Sequence, residues 1–114
     1  MRTRAPRYMT TVEAIAASKT LSKDGHGLKT NTGAAGTVTV RLPSAADCKG
    51  LPPFRFLRTA AQTITVDPTD TDIIYDSDGT SLTAGVAKSL TATGAYCEFV
   101  SDGTAYYFEK RVIV

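Results

Sequence analysis

The side chains with the clearest potential for chemistry lie in two short stretches, and the first of these begins at the only histidine. His26 opens the stretch HGLKTNTGAAGTVTVRLP, residues 26–43. A Ser-His-Asp triad would have to use this histidine, but the chain contains no G-x-S-x-G elbow of the kind that presents such a serine. Gly25 and Gly27 flank His26, which is typical of an exposed turn. We therefore expect a structural or incidental role for His26.

Within that stretch the segment GAAGT, residues 33–37, has the small-residue content of a phosphate-binding loop. The G-x-x-x-x-G-K-[ST] spacing of such a loop is absent, and the segment precedes a predicted strand, whereas a nucleotide loop would open a helix. Glycines here are explained by backbone angles that other residues avoid. The sequence therefore predicts a corner of a β fold at this point.

The second stretch is acidic, with five aspartates in twelve positions. Calcium takes several oxygen ligands from a flexible loop, but the D-x-D-x-D-G loop that ends in a glutamate is absent. Zinc would need about four ligands in local spacing, which one histidine and two distant cysteines do not supply. We expect solvated turn residues, no metal and no cofactor, with a calcium site as the alternative. The aspartates are Asp67, Asp70, Asp72, Asp76 and Asp78.

Aromatic residues concentrate towards the C-terminus and offer a third kind of site. Exposed tyrosines could bind a sugar or a protein partner, although a small β core also needs alternate aromatic residues for its packing. Because Tyr106 and Tyr107 are adjacent in a predicted strand, one must point inward and the other outward. The aromatic residues concerned are Tyr75, Tyr96, Tyr106 and Tyr107, together with Phe99 and Phe108.

Short alternating segments must position these groups, and the clearest of them is TVTVRL, residues 37–42. Val38, Val40 and Leu42 face one way in this predicted strand, and Pro43 ends it because proline cannot donate to a strand ladder. The same alternation predicts further inward-facing residues: Phe54 and Phe56, Ile64 and Val66, and, in a final hairpin, Cys97, Phe99, Tyr106 and Phe108.

The ends of the predicted domain differ in how strongly their sequences specify structure. Residues 12–21 are ambiguous between two helical turns and a strand, and we favour the strand because threonines flank the segment. SKDGHG, residues 22–27, is a turn by composition. At the other end, Asp102-Gly103 separates two alternating runs, which suits the left-handed geometry of a tight hairpin turn.

About eight such segments follow one another at intervals of about 8–12 residues, without a convincing long helix. This spacing predicts an all-β fold, a single small sandwich- or barrel-like domain of short antiparallel strands over residues 12–114. No internal repeat is long enough to indicate a solenoid. Residues 1–11 are expected to form an extended N-terminal arm, either a strap that becomes ordered against an acidic partner or a disordered tail.

Composition argues against several classes of function. The 114 residues suffice for one domain, and no apolar run approaches the roughly 20 residues that span a bilayer. The first residues lack the apolar core of a secretory signal. A net charge of +2 is too weak for nucleic-acid binding by the whole domain, although three arginines make the arm basic. Cys48 and Cys97 are expected to be reduced and at least partly buried, with one disulfide as the alternative.

Small β domains in tailed-bacteriophage virions follow a loose pattern to which four segments of this chain are similar. The segments are KTLSKDGHG, NTGAAGTVTVRLP, FRFLRTAAQTITVDPTDTDII and TAGVAKSLTATGAYCEFVSDGTAYYFE, and they cover about Lys19 to Glu109. An aromatic residue that is often Trp in the last strand of that pattern is replaced here by Tyr106-Tyr107. The resemblance implies a structural role in the virion, commonly as a trimer, in capsid decoration (cement) proteins or in tail-fibre and tail-spike modules. It carries no catalytic residues.

The sequence and the resemblance together favour a phage virion structural protein that decorates and stabilises the capsid. It would be made in the host cytoplasm and bind the major capsid protein on the outer surface of the capsomers as a homotrimer, with no nucleic acid or membrane as partner. An enzyme is not expected, because no acid, base or nucleophile is paired. The alternative is a tail-fibre or tail-spike module that binds host-surface carbohydrate through exposed tyrosines and Asp-rich loops. The residues expected to contact the coat, through charged hydrogen bonds and a shallow apolar pocket, are Arg2, Arg4, Arg7, Tyr8 and Met9.

Overall fold

A computed structural model describes residues 12–25, 27–92 and 94–112. Almost all of its secondary structure is β, which confirms the predicted all-β class. No helix in the described ranges is both long and apolar enough to cross a membrane. The elements are β1 Val12–Ala14, β2 Lys19–Thr20, β3 Gly27–Thr30, β4 Val38–Arg41, a 3₁₀ helix Ala45–Cys48, β5 Phe54–Leu57, β6 Ile64–Asp67, β7 Ile74–Tyr75, β8 Lys88–Leu90, β9 Ala95–Ser101 and β10 Tyr106–Val112.

The strands form two sheets, and the chain passes alternately between them. The first sheet has the order β1-β3-β5-β9-β10-β7, and the second has the order β2-β4-β6-β8. Strands β1, β3 and β5 run parallel to one another in the first sheet. Strands β2, β4 and β6 do the same in the second. From β1 to β6 the chain therefore winds as a coil of three turns, and each turn contributes one strand to each sheet.

The predicted antiparallel arrangement is wrong for most of this fold. Five of the eight strand pairings in the described ranges are parallel, so both sheets are mixed. The described strands number ten, more than the predicted eight, since residues 12–21 form β1 and β2 in different sheets and Gly27–Thr30 forms the further strand β3. Alternation within a strand specifies which side chains face the core, but it carries no information on the direction of the neighbouring strand.

Buried residues of both sheets form one hydrophobic core within the described part of the chain, and the predicted inward-facing residues all belong to it. Alternation along β4 turns Val38 and Val40 inward, and Leu42 continues the same face. From the first sheet, Phe56 packs edge to face against Phe99, with 5.8 Å between the ring centroids. The other predicted members that are buried here are Phe54, Ile64, Val66, Cys97, Tyr106 and Phe108.

The GAAGT segment forms the corner that the sequence predicts. Gly33 has a φ of +87°, a backbone angle that glycine adopts without strain. The N–H of Ala34 donates to the carbonyl of Asn31 at 3.0 Å, which closes the turn. Asn31 itself is fully buried, and its side chain bonds the backbone of residues 59–62, the loop after β5. The corner is therefore fastened to the next turn of the coil.

Cys48 and Cys97 are free thiols and both are buried, as expected. Burial raises the pKa of the Cys97 thiol to about 12, and burial also raises the pKa of Cys48. Because the thiolate is the reactive form, we expect both cysteines to react with a disulfide reagent only after unfolding. Labelling rates in native buffer and in guanidinium test this, and rapid labelling of the native chain at either position would contradict the buried placement.

Candidate binding site

The residues predicted to contact a coat protein lie outside the described residues. Arg2, Arg4, Arg7, Tyr8 and Met9 all precede Val12, the first residue that the structure describes, and His26 is likewise outside. Val12 opens β1 at one edge of the six-stranded sheet and is 65% exposed. Residues 1–11 therefore precede an outer strand of the described six-stranded sheet.

The five aspartates of the acidic stretch do not converge on one point. Among the described residues, no group of three or more His, Cys, Asp or Glu side chains could hold a metal ion. Four of the aspartates accept hydrogen bonds from separate partners: Asp67 from Arg41 Nη2 (2.9 Å), Asp72 from the Ala45 N–H (2.8 Å), Asp76 from Lys88 Nζ (2.8 Å) and Asp78 from the Thr80 N–H (2.9 Å). Asp70 is almost fully exposed and lies 3.8 Å from Arg41.

The predicted division between Tyr106 and Tyr107 is confirmed. Tyr106 is buried and its hydroxyl donates to the carbonyl of Pro43 at 2.8 Å, whereas Tyr107 is 44% exposed. The parallel register of β7 and β10 places Tyr107 beside Tyr75. Their rings stack at 5.1 Å between centroids with an angle of 11° between planes. The structure thus brings together two of the predicted candidate tyrosines at the β7 edge of the sheet.

A groove of about 450 Å³ lies next to this tyrosine pair. It forms because β7 has two residues and β10 has seven, so that β7 covers only the first part of β10. After Tyr75 the chain leaves the sheet in the turn of residues 76–79, which the Gly79 N–H closes by donating to Asp76 O at 2.8 Å. We call this space the tyrosine groove; its walls are Tyr75 and Tyr107, the turn 76–79, and Phe108 and Glu109.

Asp76 is held at one wall of the groove by an ion pair. Lys88 Nζ lies 2.8 Å from Asp76 Oδ2 and also 4.9 Å from the centroid of the Phe108 ring. The hydrogen bond from Lys88, followed by that from the Ser77 N–H at 2.7 Å, lowers the pKa of the Asp76 carboxyl. Asp76 therefore stays ionised, and its charge is balanced by Lys88.

Tyr107 is oriented by Asp102, which lies in the loop between β9 and β10. The Tyr107 hydroxyl donates to Asp102 Oδ2 at 2.9 Å, and this bond raises the pKa of Tyr107. The N–H groups of Ala105 and Thr104, and then the Tyr107 hydroxyl, lower the pKa of Asp102. The ring of Tyr107 is thus fixed at its hydroxyl end and supported along its face by Tyr75.

Glu109 is the second carboxylate in the wall of the groove. It stands directly opposite Glu98 in the antiparallel register of β9 and β10. Glu98 accepts a hydrogen bond from the Tyr96 hydroxyl at 2.8 Å and has Arg55 opposite it on β5. Among the groups that the structure describes, Glu109 has no hydrogen bond or ion pair. Because facing like charges are unfavourable, a donor that bound Glu109 would relieve the repulsion.

Glu109 also borders a smaller hollow of about 230 Å³. Its walls are Tyr96, Glu98, Glu109 and Lys110. Glu109 is therefore shared between the tyrosine groove and this hollow, and the two form neighbouring depressions on the surface of β10.

Comparison with known proteins finds no relative. No protein-family model, no curated protein and no solved structure matches the chain. The similarity to phage virion domains is therefore still a prediction from the sequence pattern.

The sequence analysis identified several residues of the groove as candidates but did not identify Glu109, one of its main polar groups. Tyr75, Tyr107 and Asp76 were all candidates, whereas Glu109 was not. Alternation along β10 places Tyr107 and Glu109 on the same face, and this signal could have identified Glu109. The pairing of β7 with β10, which creates the groove, has no equivalent signal in the sequence.

Proposed function

We propose that this chain is a structural protein of a tailed-phage virion that decorates and stabilises the capsid. In this proposal a sandwich-like body made by the two sheets carries residues 1–11 as an extended basic arm. The body assembles as a homotrimer on the outer surface of the coat-protein capsomers. The arm supplies the contact, with Arg2, Arg4 and Arg7 bonded to coat carboxylates and with Tyr8 and Met9 in an apolar pocket.

One observation supports the proposal most directly: the segments that resemble the phage domains build the frame of the fold. In NTGAAGTVTVRLP, Asn31 and Gly33 build the corner and β4 supplies core residues. In SDGT, Asp102 Oδ1 accepts from the N–H groups of Thr104 and Ala105 at 2.8 and 2.9 Å, which shapes the hairpin loop. The pattern thus consists of residues that build the frame, which supports a scaffold role over a catalytic one.

The attachment point of the arm supports the proposed mode of binding. Residues 1–11 join β1, an outer strand of the six-stranded sheet, so an arm there would start at one side of the body. A closed trimer would present three such arms, and its symmetry could match that of a capsomer. Three weak contacts on one oligomer bind far more tightly than one, because the second and third form at high effective concentration.

Removing the charges of the arm is expected to abolish binding to capsids while the body stays folded and trimeric. The test compares wild type with the triple substitution Arg2→Gln, Arg4→Gln and Arg7→Gln, and with deletion of residues 1–9. Co-sedimentation with assembled empty capsids measures binding, and light scattering measures the oligomer. We expect at least a tenfold loss of binding for both variants.

The matched control removes three positive charges from exposed lysines of the body. The substitutions Lys23→Gln, Lys49→Gln and Lys110→Gln change the net charge by the same amount as the arm variant. The control is expected to bind capsids like wild type. Unchanged binding of the arm variants, or an equal loss in the control, would overturn the role of the arm.

The second candidate is a tail-fibre or tail-spike module, and the tyrosine groove favours it. Stacked tyrosines beside carboxylates are the kind of surface on which carbohydrate binds. Cryo-electron microscopy of the particle separates the two, since density on the capsid surface and density at the tail tip are different locations.

A further inference from the structure

We propose that the tyrosine groove is a binding site for a neutral saccharide built of hexopyranose rings. The proposal deepens the second candidate function, on which it rests, by naming the class of saccharide that the groove would bind. A measurement on the isolated protein tests it, whereas the capsid role is tested by co-sedimentation. The failure of one is therefore distinguishable from the failure of the other.

The tyrosine pair supplies the apolar part of such a site. A hexopyranose ring has faces of C–H groups, which pack against the electron-rich face of an aromatic ring. Tyr75 and Tyr107 stack on each other, and beyond the stack Ser81 stands beside Tyr75 and Val100 stands beside Tyr107. Tyr107 is 44% exposed, a large value for an aromatic side chain flanked by Tyr75 and by Val100 on β9.

The two carboxylates supply the acceptors that sugar hydroxyls need. Glu109 has no partner among the described groups, and Asp76 uses Oδ2 for Lys88 and Oδ1 for the Ser77 N–H. A carboxylate oxygen has two lone pairs, so both residues can accept further hydrogen bonds from hydroxyl groups. Hydrogen bonds to a charged acceptor are stronger than those between neutral groups. A saccharide buries little apolar surface, so strong hydrogen bonds are needed to bind it.

The groove is largely formed before a ligand arrives. Its volume of about 450 Å³ lies within the usual range for small-molecule sites, which is roughly 300–1,000 Å³. Tyr107 is fixed by Asp102, Asp76 is fixed by Lys88, and Lys88 is placed over Phe108. A preformed site avoids the cost of ordering side chains upon binding.

The charges of the groove favour a neutral ligand over a cationic one. Lys88 already balances Asp76, which leaves Glu109 as the one uncompensated charge among the described walls of the groove. A saccharide can satisfy Glu109 with a hydroxyl donor and cover the tyrosines with the same ring. A cationic peptide would gain from a single carboxylate, because the ion pair of Asp76 and Lys88 has no net charge.

The test is a titration of the full isotope-labelled chain with three neutral probes, each followed by NMR. The probes are maltotetraose, cellotetraose and chitotetraose, which share hexopyranose rings but differ in linkage and substituents. We expect saturable shifts with at least one probe, confined to β7, the turn 76–79 and residues 107–109. We expect the affinity to change little between low and high salt, because the ligand is neutral.

Two variants and one control locate the binding. Tyr107→Ala should weaken the affinity at least tenfold, and Glu109→Gln should weaken it several-fold by replacing the charged acceptor. Val100→Ala is the matched control, since Val100 is exposed and stands opposite Tyr107 on β9 but lies outside the groove. The amide spectrum of each variant shows whether it is folded.

Three outcomes would overturn the proposal. The first is the lack of saturable shifts with all three saccharides. The second is binding that survives Tyr107→Ala or that is lost equally in Val100→Ala. The third is tighter binding of a tetra-arginine peptide in the same groove with a steep dependence on salt, which would identify it as a site for cationic peptides.

Discussion

A chain that carries Val40→Asp is expected to be unfolded, with neither a cooperative melting transition nor dispersed amide signals. Val40 lies in β4, is 1% exposed and stands in register with Val66 of the neighbouring β6. A carboxylate at this position would face the hydrophobic core. Burial of an unpaired charge costs several kcal/mol or more, and small domains have a total stability of only about 5–15 kcal/mol. The substitution therefore removes most or all of the free energy of folding.

The neighbouring position provides a control for the effect of an acidic residue in this strand. Thr39 lies next to Val40 in β4 but faces away from the core and is only partly buried. Its backbone N–H donates to Ser18 Oγ at 3.0 Å, a bond that Thr39→Asp leaves in place. We expect Thr39→Asp to change the free energy of unfolding by less than about 1 kcal/mol. Urea denaturation followed by circular dichroism measures both variants, and a cooperative transition near the wild-type midpoint for Val40→Asp would contradict the register of β4.

Strand β4 was predictable because several local signals agree there. Val38, Val40 and Leu42 alternate with polar residues, and Pro43 marks the end of the segment. The side chains that alternate inward in β5, β6, β9 and β10 were predictable for the same reason. A side-chain period of two residues is a property of the strand itself, so it can be read without knowledge of the partner strand.

The parallel coil was not predictable, because its turns have unequal lengths. In the first sheet Val12 is in register with Leu28, and Leu28 is in register with Arg55, so the second turn is much longer than the first. A solenoid is recognised in sequence by a fixed period. Loops of different length close the successive turns here, and no period results.

The sequence predicted the outward direction of Tyr107 in the candidate site but not the strand pairing that forms the site. Alternation in β10 places Tyr107 outward, but β7 consists of only Ile74 and Tyr75 and is too short to show any period. Its pairing with β10 joins residues that are far apart in the chain and depends on how the loops pack. The stacked pair of Tyr75 and Tyr107 therefore follows from tertiary structure alone.

Asn31→Ala is expected to destabilise the chain by about 3 kcal/mol, a large effect for a residue of a loop. Asn31 is fully buried, and its Oδ1 accepts from the N–H groups of Thr59 and Ala60 at 2.8 and 2.9 Å. Its Nδ2 donates to the carbonyl of Gln62 at 2.8 Å. Alanine would leave the two partly buried N–H groups without their partner, whereas the Gln62 carbonyl would keep the bond that Arg58 Nε donates at 2.8 Å. An unsatisfied buried group costs about 1–3 kcal/mol. The measurement is the free energy of unfolding from urea titration.

The substitution Thr59→Ala distinguishes two contributions to stability, the bonds of the Asn31 side chain to the backbone and its contact with a side-chain hydroxyl. The Thr59 hydroxyl lies 3.3 Å from Asn31 Oδ1 and 2.6 Å from the hydroxyl of Thr32, and alanine removes both contacts while the Thr59 N–H stays bonded. Because these hydroxyls are exposed, we expect a loss below about 1 kcal/mol. A loss as large as that of Asn31→Ala would assign the stabilisation to the hydroxyl cluster. A small loss would indicate that the hydrogen bonds from Asn31 to the backbone hold residues 59–62 in place. The same bonds would then connect successive turns of the coil.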